Sequence, residues 1–466
     1  EATILPEHPL VFGTEKSPIP GQDVHPLRGV VHYGPYDLEL TRTGYYREVK
    51  LGVICPQGCE QALSSYLAKL LLGHSAVESK SEYLLPFPGF QQTYRIPLRI
   101  PDRGAKEWRT LPLKYSNVNL RAAQTEVCSG ITRAVDNLIS LGTTDVAIIL
   151  IPKAWKSFEV VEDDGVHVDL HDYIKAYCAQ RNVRTQFLRE DTLFKQYQCE
   201  ILWWLAQALY VKSVRTPFVL QTNDNDTVFV GIGYGMTKGK EKGVVLGCSH
   251  IYDAAGQGLR YHVSRIQDPI WIQDNPFLKK DDAISIGYQV RQLFHQTYQK
   301  LPHRVVIHKR TPFVGSEQEG LTQSLKGVAE VEMITVEEEP SWRFLSYDKI
   351  KQSVDGFPVK RNTVLVYGND QALLWVHGAV KNIKDYKTYF QGKSRIPSPL
   401  RITRFAGQAP IETVAREILG LSKMDWNSCD LYGQFPATLE SSSAIAKVGQ
   451  LMSRFGSETY DYRLFI

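Results

Sequence analysis

The spacing of apolar and polar positions divides the chain into a first part, in which apolar strands alternate with amphipathic helices, and a second part that opens on strands alone. Val49 to Ile54 reads as a strand leading into a helix over about 57–73. Leu120 to Leu141 sets Val127, Ile131, Val135 and Leu138 at helical spacing, and Gly142 is its stop. The run Val146-Ala-Ile-Ile-Leu-Ile151, ended by Pro152, has the length and β-branching of a fully buried strand. A helix over 170–181, a strand over 184–188 and a very apolar helix over 197–212 follow. This alternation predicts a parallel, Rossmann-like sheet.

The second unit begins at Thr227 with Val-Phe-Val-Gly-Ile-Gly-Tyr, and two further β-rich segments at 243–252 and 258–265 make an antiparallel set. A helix over 282–301 carries Ile286, Val290, Leu293 and Leu301 on one stripe, with Asp281 and Asp282 at its positive end. A strand at 304–308, a helix at 315–327, strands at 329–336, 362–367 and 371–378, and helices near 410–420 and 439–453 complete the pattern. Three strands followed by alternating strands and helices predict a ribonuclease H-like fold, with the boundary near 215–226 at the loop "NDND". The opening hundred residues, with "PLRGVVHYGPYD" at 26–37, read as loop and extended chain.

Composition narrows the classes. At 466 residues and 43% hydrophobic content the chain can build two or three packed domains. Its most apolar stretch, 201–211, is too short to span a bilayer, and its first residues show no export-signal pattern. Seven cysteines, scattered and without a Cys-x-x-Cys pair, read as reduced core thiols of a cytoplasmic protein. A net charge of +4 permits nucleic-acid binding without demonstrating it.

One constellation carries chemistry. His171 and Lys175 lie four residues apart on one helix face, Gln186 follows on the next strand, and Lys212 closes the apolar helix. Two cations, an imidazole and an amide suit a terminal phosphate, the lysines neutralising charge and the others fixing its orientation. Singly, each residue reads as an ordinary solvated or capping side chain. Two other features read as structural: Gly231-x-Gly233 lacks the third glycine of a dinucleotide fingerprint, and Asp224 with Asp226 form a solvated turn.

The joint spacing of His171, Lys175, Gln186 and Lys212 resembles the phosphate motif of the MID domain of Argonaute proteins, His171 taking the place usually held by Tyr or His. The stretch "HDYIKAYCAQRNVRTQFL" at 171–188 resembles the MID pocket segment, "GPYD" is similar to the opening of short Argonautes, and "DLYGQFPATLESSSAIAKVG" through the final "YDYRLFI" resembles their ending. The resemblance implies an α/β chain with a Rossmann-like MID domain followed by a ribonuclease H-like PIWI domain. Its divisions are an N-terminal extended segment 1–45, a MID domain 46–220 and a PIWI domain 221–466. It further implies that the carboxylate of Ile466 reaches the guide 5′ phosphate, often through a divalent ion such as Mg2+. Ala208 stands where an amide is often found, with only Gln207 nearby, which leaves that metal open.

A ribonuclease H-like nuclease needs three or four carboxylates around two divalent ions. By resemblance the first belongs in "FVGIGYG" at 229–235, where Gly233 takes its place, and the second in "VVIHKRTPF" at 305–313, where Lys309 does. The last falls at Ser441 to Ser443, poor ligands for a hard cation. The expectation is an inactive PIWI domain without a catalytic cofactor. His308, Lys309 and Arg310, together with Lys238 and Lys240 in a basic turn that also holds Lys242, are then expected to meet a nucleic-acid backbone, the 238–242 run reading first as a plain solvated hairpin. The implied partners are a guide RNA, a complementary single-stranded DNA target and an APAZ-containing effector, Sir2 favoured over TIR or nuclease, that depletes NAD in prokaryotic immunity; no membrane is involved. Two alternatives stay open: a guided nuclease with relocated metal ligands, and an unguided nucleic-acid module or small-molecule-binding α/β protein.

Overall fold

The computed structural model describes residues 2–16, 18–45, 47–76, 83–115, 119–163, 166–236, 245–266, 268–355, 359–380, 389–390, 397–441, 448, 451 and 459–465. The chain opens on a short strand, β1 (Ala2–Ile4), which joins the edge of the second unit's sheet. The following stretch is not wholly extended, as its Pro and Gly content suggested. Pro26–Tyr33 is a helix, since Pro26 sits in its first turn, the His25 side chain accepts the Arg28 N–H, and Leu27 and Val30 have a core to enter. The GPYD motif is a clasp: Asp37 accepts the Tyr210 hydroxyl and the Thr216 N–H (2.9 Å), with Arg215 at 3.8 Å.

The first unit is a parallel sheet of β2 (Val49–Pro56), β3 (Leu98–Arg99), β4 (Trp108–Leu111), β5 (Val146–Ile151) and β6 (Arg184–Arg189). The strand order is β6-β5-β2-β3, with β4 also pairing β2. Helix α1 (Glu60–Ala68) follows β2. Helices α2 (Leu120–Leu141) and α3 (Leu170–Gln180) bury Val127, Ile131, Val135 and Ile174 against Ile149 and Ile151 on one face. α2 runs as its periodicity predicts, from an Asn119 side-chain cap to Gly142 in the left-handed conformation. The other face receives α4 (Gln198–Lys212), buried almost all round. This is the expected Rossmann-like layering.

The second unit is a ten-stranded mixed sheet. Its centre is β7 (Thr227–Met236), β8 (Val245–Tyr252) and β9 (Gly258–Ile266), antiparallel, with β10 (Arg304–Lys309) and β11 (Glu330–Glu338) parallel to β7. Beyond β11 lie β12 (Thr363–Gly368), β13 (Gln371–Trp375) and β14 (Leu400–Ala406), and β15 (Thr459–Tyr460) pairs β9. Helices α5 (Lys280–Tyr298) and α6 (Gly315–Ser324) cover one face through Ile286, Val290, Phe294 and Leu321; α7 (Ile411–Leu421) joins the core shared with the first unit. Most of the helix expected over 439–453 lies outside the described residues.

Candidate nucleic-acid interface

Asp169 caps α3 by accepting the N–H groups of His171 (2.8 Å) and Asp172 (3.3 Å), which fixes the helix so that Lys175 enters the interior one turn on. Lys175 is only 5% exposed, and its ammonium donates to the carbonyls of Thr185 (3.3 Å) and Leu464 (3.1 Å). Lys212, 2% exposed at the end of α4, donates to Gln186 Oε1 at 2.6 Å. Gln186 Nε2 in turn donates to the Phe187 carbonyl (3.0 Å). His171 stays at the rim, 46% exposed, its ring 4.5 Å from that of Phe187 and its Nδ1 3.0 Å from Asp172 Oδ1.

Burial pushes the Lys175 ammonium down to about 8, and burial together with neighbouring Lys175 pushes Lys212 well below the usual lysine range. Among the described residues Lys212 donates to the Gln186 amide and has Lys175, not a carboxylate, as its charged neighbour. A buried cation beside a second one is costly unless an anion joins them. The chain's last turn, Tyr462–Leu464, packs against α3, α4 and β6 and brings the Leu464 carbonyl to Lys175. Ile466 lies outside the described residues.

The described donors do not fit a divalent cation in this pocket: they are two ammonium groups and an amide already held by one of them. Gln207, the nearest substitute for the missing amide at Ala208, donates instead to the carbonyls of Trp426 (3.0 Å) and Ser428 (2.7 Å). Asp169, His171 and Asp172 have metal-ligand spacing at the rim, but Asp169 is occupied as a helix cap and Asp172 by His171.

The second predicted region needs correction. In the parallel ladder between β7 and β10, Gly231 lies beside His308 and Ile232 beside Lys309. Side chains alternate along a strand, so Lys309 shares the face of Ile232, away from Gly233. The ladder ends at this pair, so neither Gly233 nor Arg310 is part of it.

Lys309 is buried, its ammonium 2.6 Å from both oxygens of Glu317 and 4.5 Å from the Phe277 ring centroid. Glu317 also accepts the Tyr234 hydroxyl at 2.7 Å. His308 is buried too, with Nδ1 2.9 Å from Thr438 Oγ1, and burial pushes it down to about 3, so it is neutral. Neither side chain can meet a backbone phosphate from this position. Arg310 alone of the three is exposed, its guanidinium 4.1 Å from the Phe435 ring centroid.

Lys238, Lys240 and Lys242 lie outside the described residues, as do Ser442 and Ser443. Ser441 donates to the Ala437 carbonyl at 3.0 Å. Asp224 accepts the Asp226 N–H at 2.7 Å, the turn its sequence indicated. The sequence could not reveal the Thr185 and Leu464 carbonyls, since backbone acceptors carry no side-chain signature. Asp172 and Phe187, which hold His171, were visible only as its neighbours in sequence.

A Rossmann-like sheet and a ribonuclease H-like sheet, joined around a buried lysine pair, together have the fold of Argonaute and Piwi proteins. No family model matches the sequence, and no curated protein does. Among solved structures, the whole chain superimposes on Clostridium butyricum Argonaute bound to a guide DNA and a 19-mer target DNA, with TM-score 0.70, 16% identity and 54% of that chain covered. It also superimposes on Drosophila Piwi, at TM-score 0.64, 13% identity and 55% coverage. Marinitoga piezophila Argonaute in complex with 5′ OH guide RNA matches at TM-score 0.58, 10% identity and 59% coverage. The chain thus spans little more than half the length of these proteins.

Proposed function

We propose that this chain binds the 5′ phosphate of a guide strand at Lys175, Lys212, Gln186 and His171 and uses the paired guide to recognise a complementary single-stranded nucleic acid. The observation that carries this reading is the buried pair Lys175 and Lys212, two basic groups beside one another, which an anion would stabilise. The resemblance implies that the Ile466 carboxylate would hold any Mg2+ ion at the phosphate; the described donors of the pocket, Lys175, Lys212 and Gln186, do not fit one by themselves. We read the guide as RNA, the target as single-stranded DNA, and the PIWI unit as inactive, because Gly233 and Lys309, at the positions the resemblance gives to metal-binding carboxylates, supply no metal ligand. Signal output then belongs to an APAZ-containing effector, Sir2 favoured over TIR or nuclease, acting by NAD depletion in prokaryotic immunity.

The test is capture. Loaded with a 5′-phosphorylated RNA guide and supplied with Mg2+ or Mn2+, the chain is expected to retain complementary DNA and leave it intact. Equal retention of a scrambled strand would refute guided recognition, and site-specific cutting would refute the inactive PIWI unit.

A further inference from the structure

A cavity of about 370 Å³ opens where the start of β9, the C-terminal end of α5 and the chain's last turn meet. Arg260, Arg463, Gln257, Gln296, Thr297 and Asp461 line it. The residues proposed above for the guide 5′ phosphate are not among them.

Arg463 is held at this cavity by its backbone: its N–H donates to Asp461 Oδ1 at 2.9 Å, capping the last turn, and its guanidinium lies 4.7 Å from the Tyr462 ring centroid. The same carboxylate is 3.7 Å from Nη1, a loose pairing. Nε of Arg463 is buried and has no hydrogen-bond partner among the described residues. A guanidinium is costly to leave part-desolvated with a donor unmet, and its planar fork matches the oxygens of a phosphate. Arg260, exposed on β9, supplies a second fork. Against these two charges stand Asp461 and the negative end of α5, which carries roughly half a charge. The balance is positive.

We propose that this cavity is a second phosphate site, with Arg260 and Arg463 as its cations and the glutamine amides as neutral donors. The turn Tyr462–Leu464 joins it to the first site, because Arg463 lines one and the next residue's carbonyl accepts from Lys175 in the other. A backbone phosphate of the bound strand and a free phosphoanion share the chemistry it recognises.

Equilibrium dialysis of inorganic phosphate against the full chain in low-salt buffer tests it. Wild type is expected to take up two equivalents, Lys212→Gln one, and Arg260→Gln combined with Arg463→Gln one. Uptake by the double arginine variant equal to wild type overturns the second site, however the Lys212 variant behaves. Arg260→Gln alone guards against misfolding, since Arg260 is exposed, and is expected to weaken that equivalent at least tenfold; unchanged affinity overturns its role. Preloading with a 5′-phosphorylated 18-nucleotide strand separates the sources. Loss of both equivalents assigns the site to the strand's own backbone, and retention of one assigns it to a free phosphoanion.

Discussion

Lys175 and Lys212 set the electrostatics of the first unit. Their folded-state pKa values lie below the unfolded value of 10.5, Lys175 at about 8, so the folded chain binds fewer protons than the unfolded chain between those limits. Stability therefore rises with pH across roughly 8 to 10.5 and is lost as pH falls back through that window. Thermal melts of the unloaded protein are expected to show this rise, and Lys212→Met to flatten it while raising the melting temperature at pH 7. A melting temperature that falls from pH 8 to 10 in the wild type, with no change in Lys212→Met, would contradict the buried pair. Loading a 5′-phosphorylated guide is expected to flatten this rise, because the phosphate keeps both ammonium groups charged in the folded chain.

Lys309 and Arg310 are adjacent in sequence and opposite in consequence. Removing the buried ammonium strands Glu317, so Lys309→Met is expected to cost about 3 kcal/mol in urea unfolding. Arg310→Met is expected to stay within about 0.5 kcal/mol of wild type, while lowering the salt dependence of duplex binding by about one phosphate contact. The sequence showed three cationic or imidazole side chains in a row. It did not show which of them face solvent, because that depends on strand register.

At the scale of elements, the central strand β7 owes its place to Gly231. A Cβ built there would sit 1.8 Å from the Thr438 carbonyl oxygen, so the segment ahead of Ser441 lies directly on the strand. His308, beside Gly231 in the ladder, bonds the Thr438 hydroxyl and ties strand and segment together. Gly231→Ala is expected to destabilise by about 3 kcal/mol, read by chemical denaturation. A change below about 0.5 kcal/mol would show that the segment is not seated there.

Strong local signals were legible: the α2 stripe with its Gly142 stop and the all-apolar β5 both run as periodicity predicts. The helix at Pro26–Tyr33 was hidden by its Pro and Gly content, since its burial of Leu27 depends on partners far along the chain. Close approaches such as Gly231 to Thr438 were hidden for the same reason.

For the whole molecule, the N-terminal stretch is an integral part of the second unit. β1 extends the large sheet, and Glu7 pairs with buried Arg361 (3.1 Å) and Lys423 (2.6 Å). From the other end, the last turn crosses back to the first unit and reaches Lys175. The last turn therefore braces the junction at which the lysine pair sits, while the N-terminal stretch ties itself to the second unit. The four pocket residues could be found in the sequence because their joint spacing resembles a known phosphate motif; that Lys175 and Lys212 are buried while His171 stays at the rim could be read only from the fold.

The most direct measurement is the affinity of the wild type and of Lys175→Gln and Lys212→Gln for one guide sequence carrying either a 5′ phosphate or a 5′ hydroxyl. The wild type is expected to prefer the phosphate by at least about tenfold, equivalent to one charge-assisted contact of about 1.4 kcal/mol, and each variant to lose most of that preference. Equal affinity of the wild type for both guides, or an equal loss on both in the variants, would contradict a phosphate site at Lys175 and Lys212.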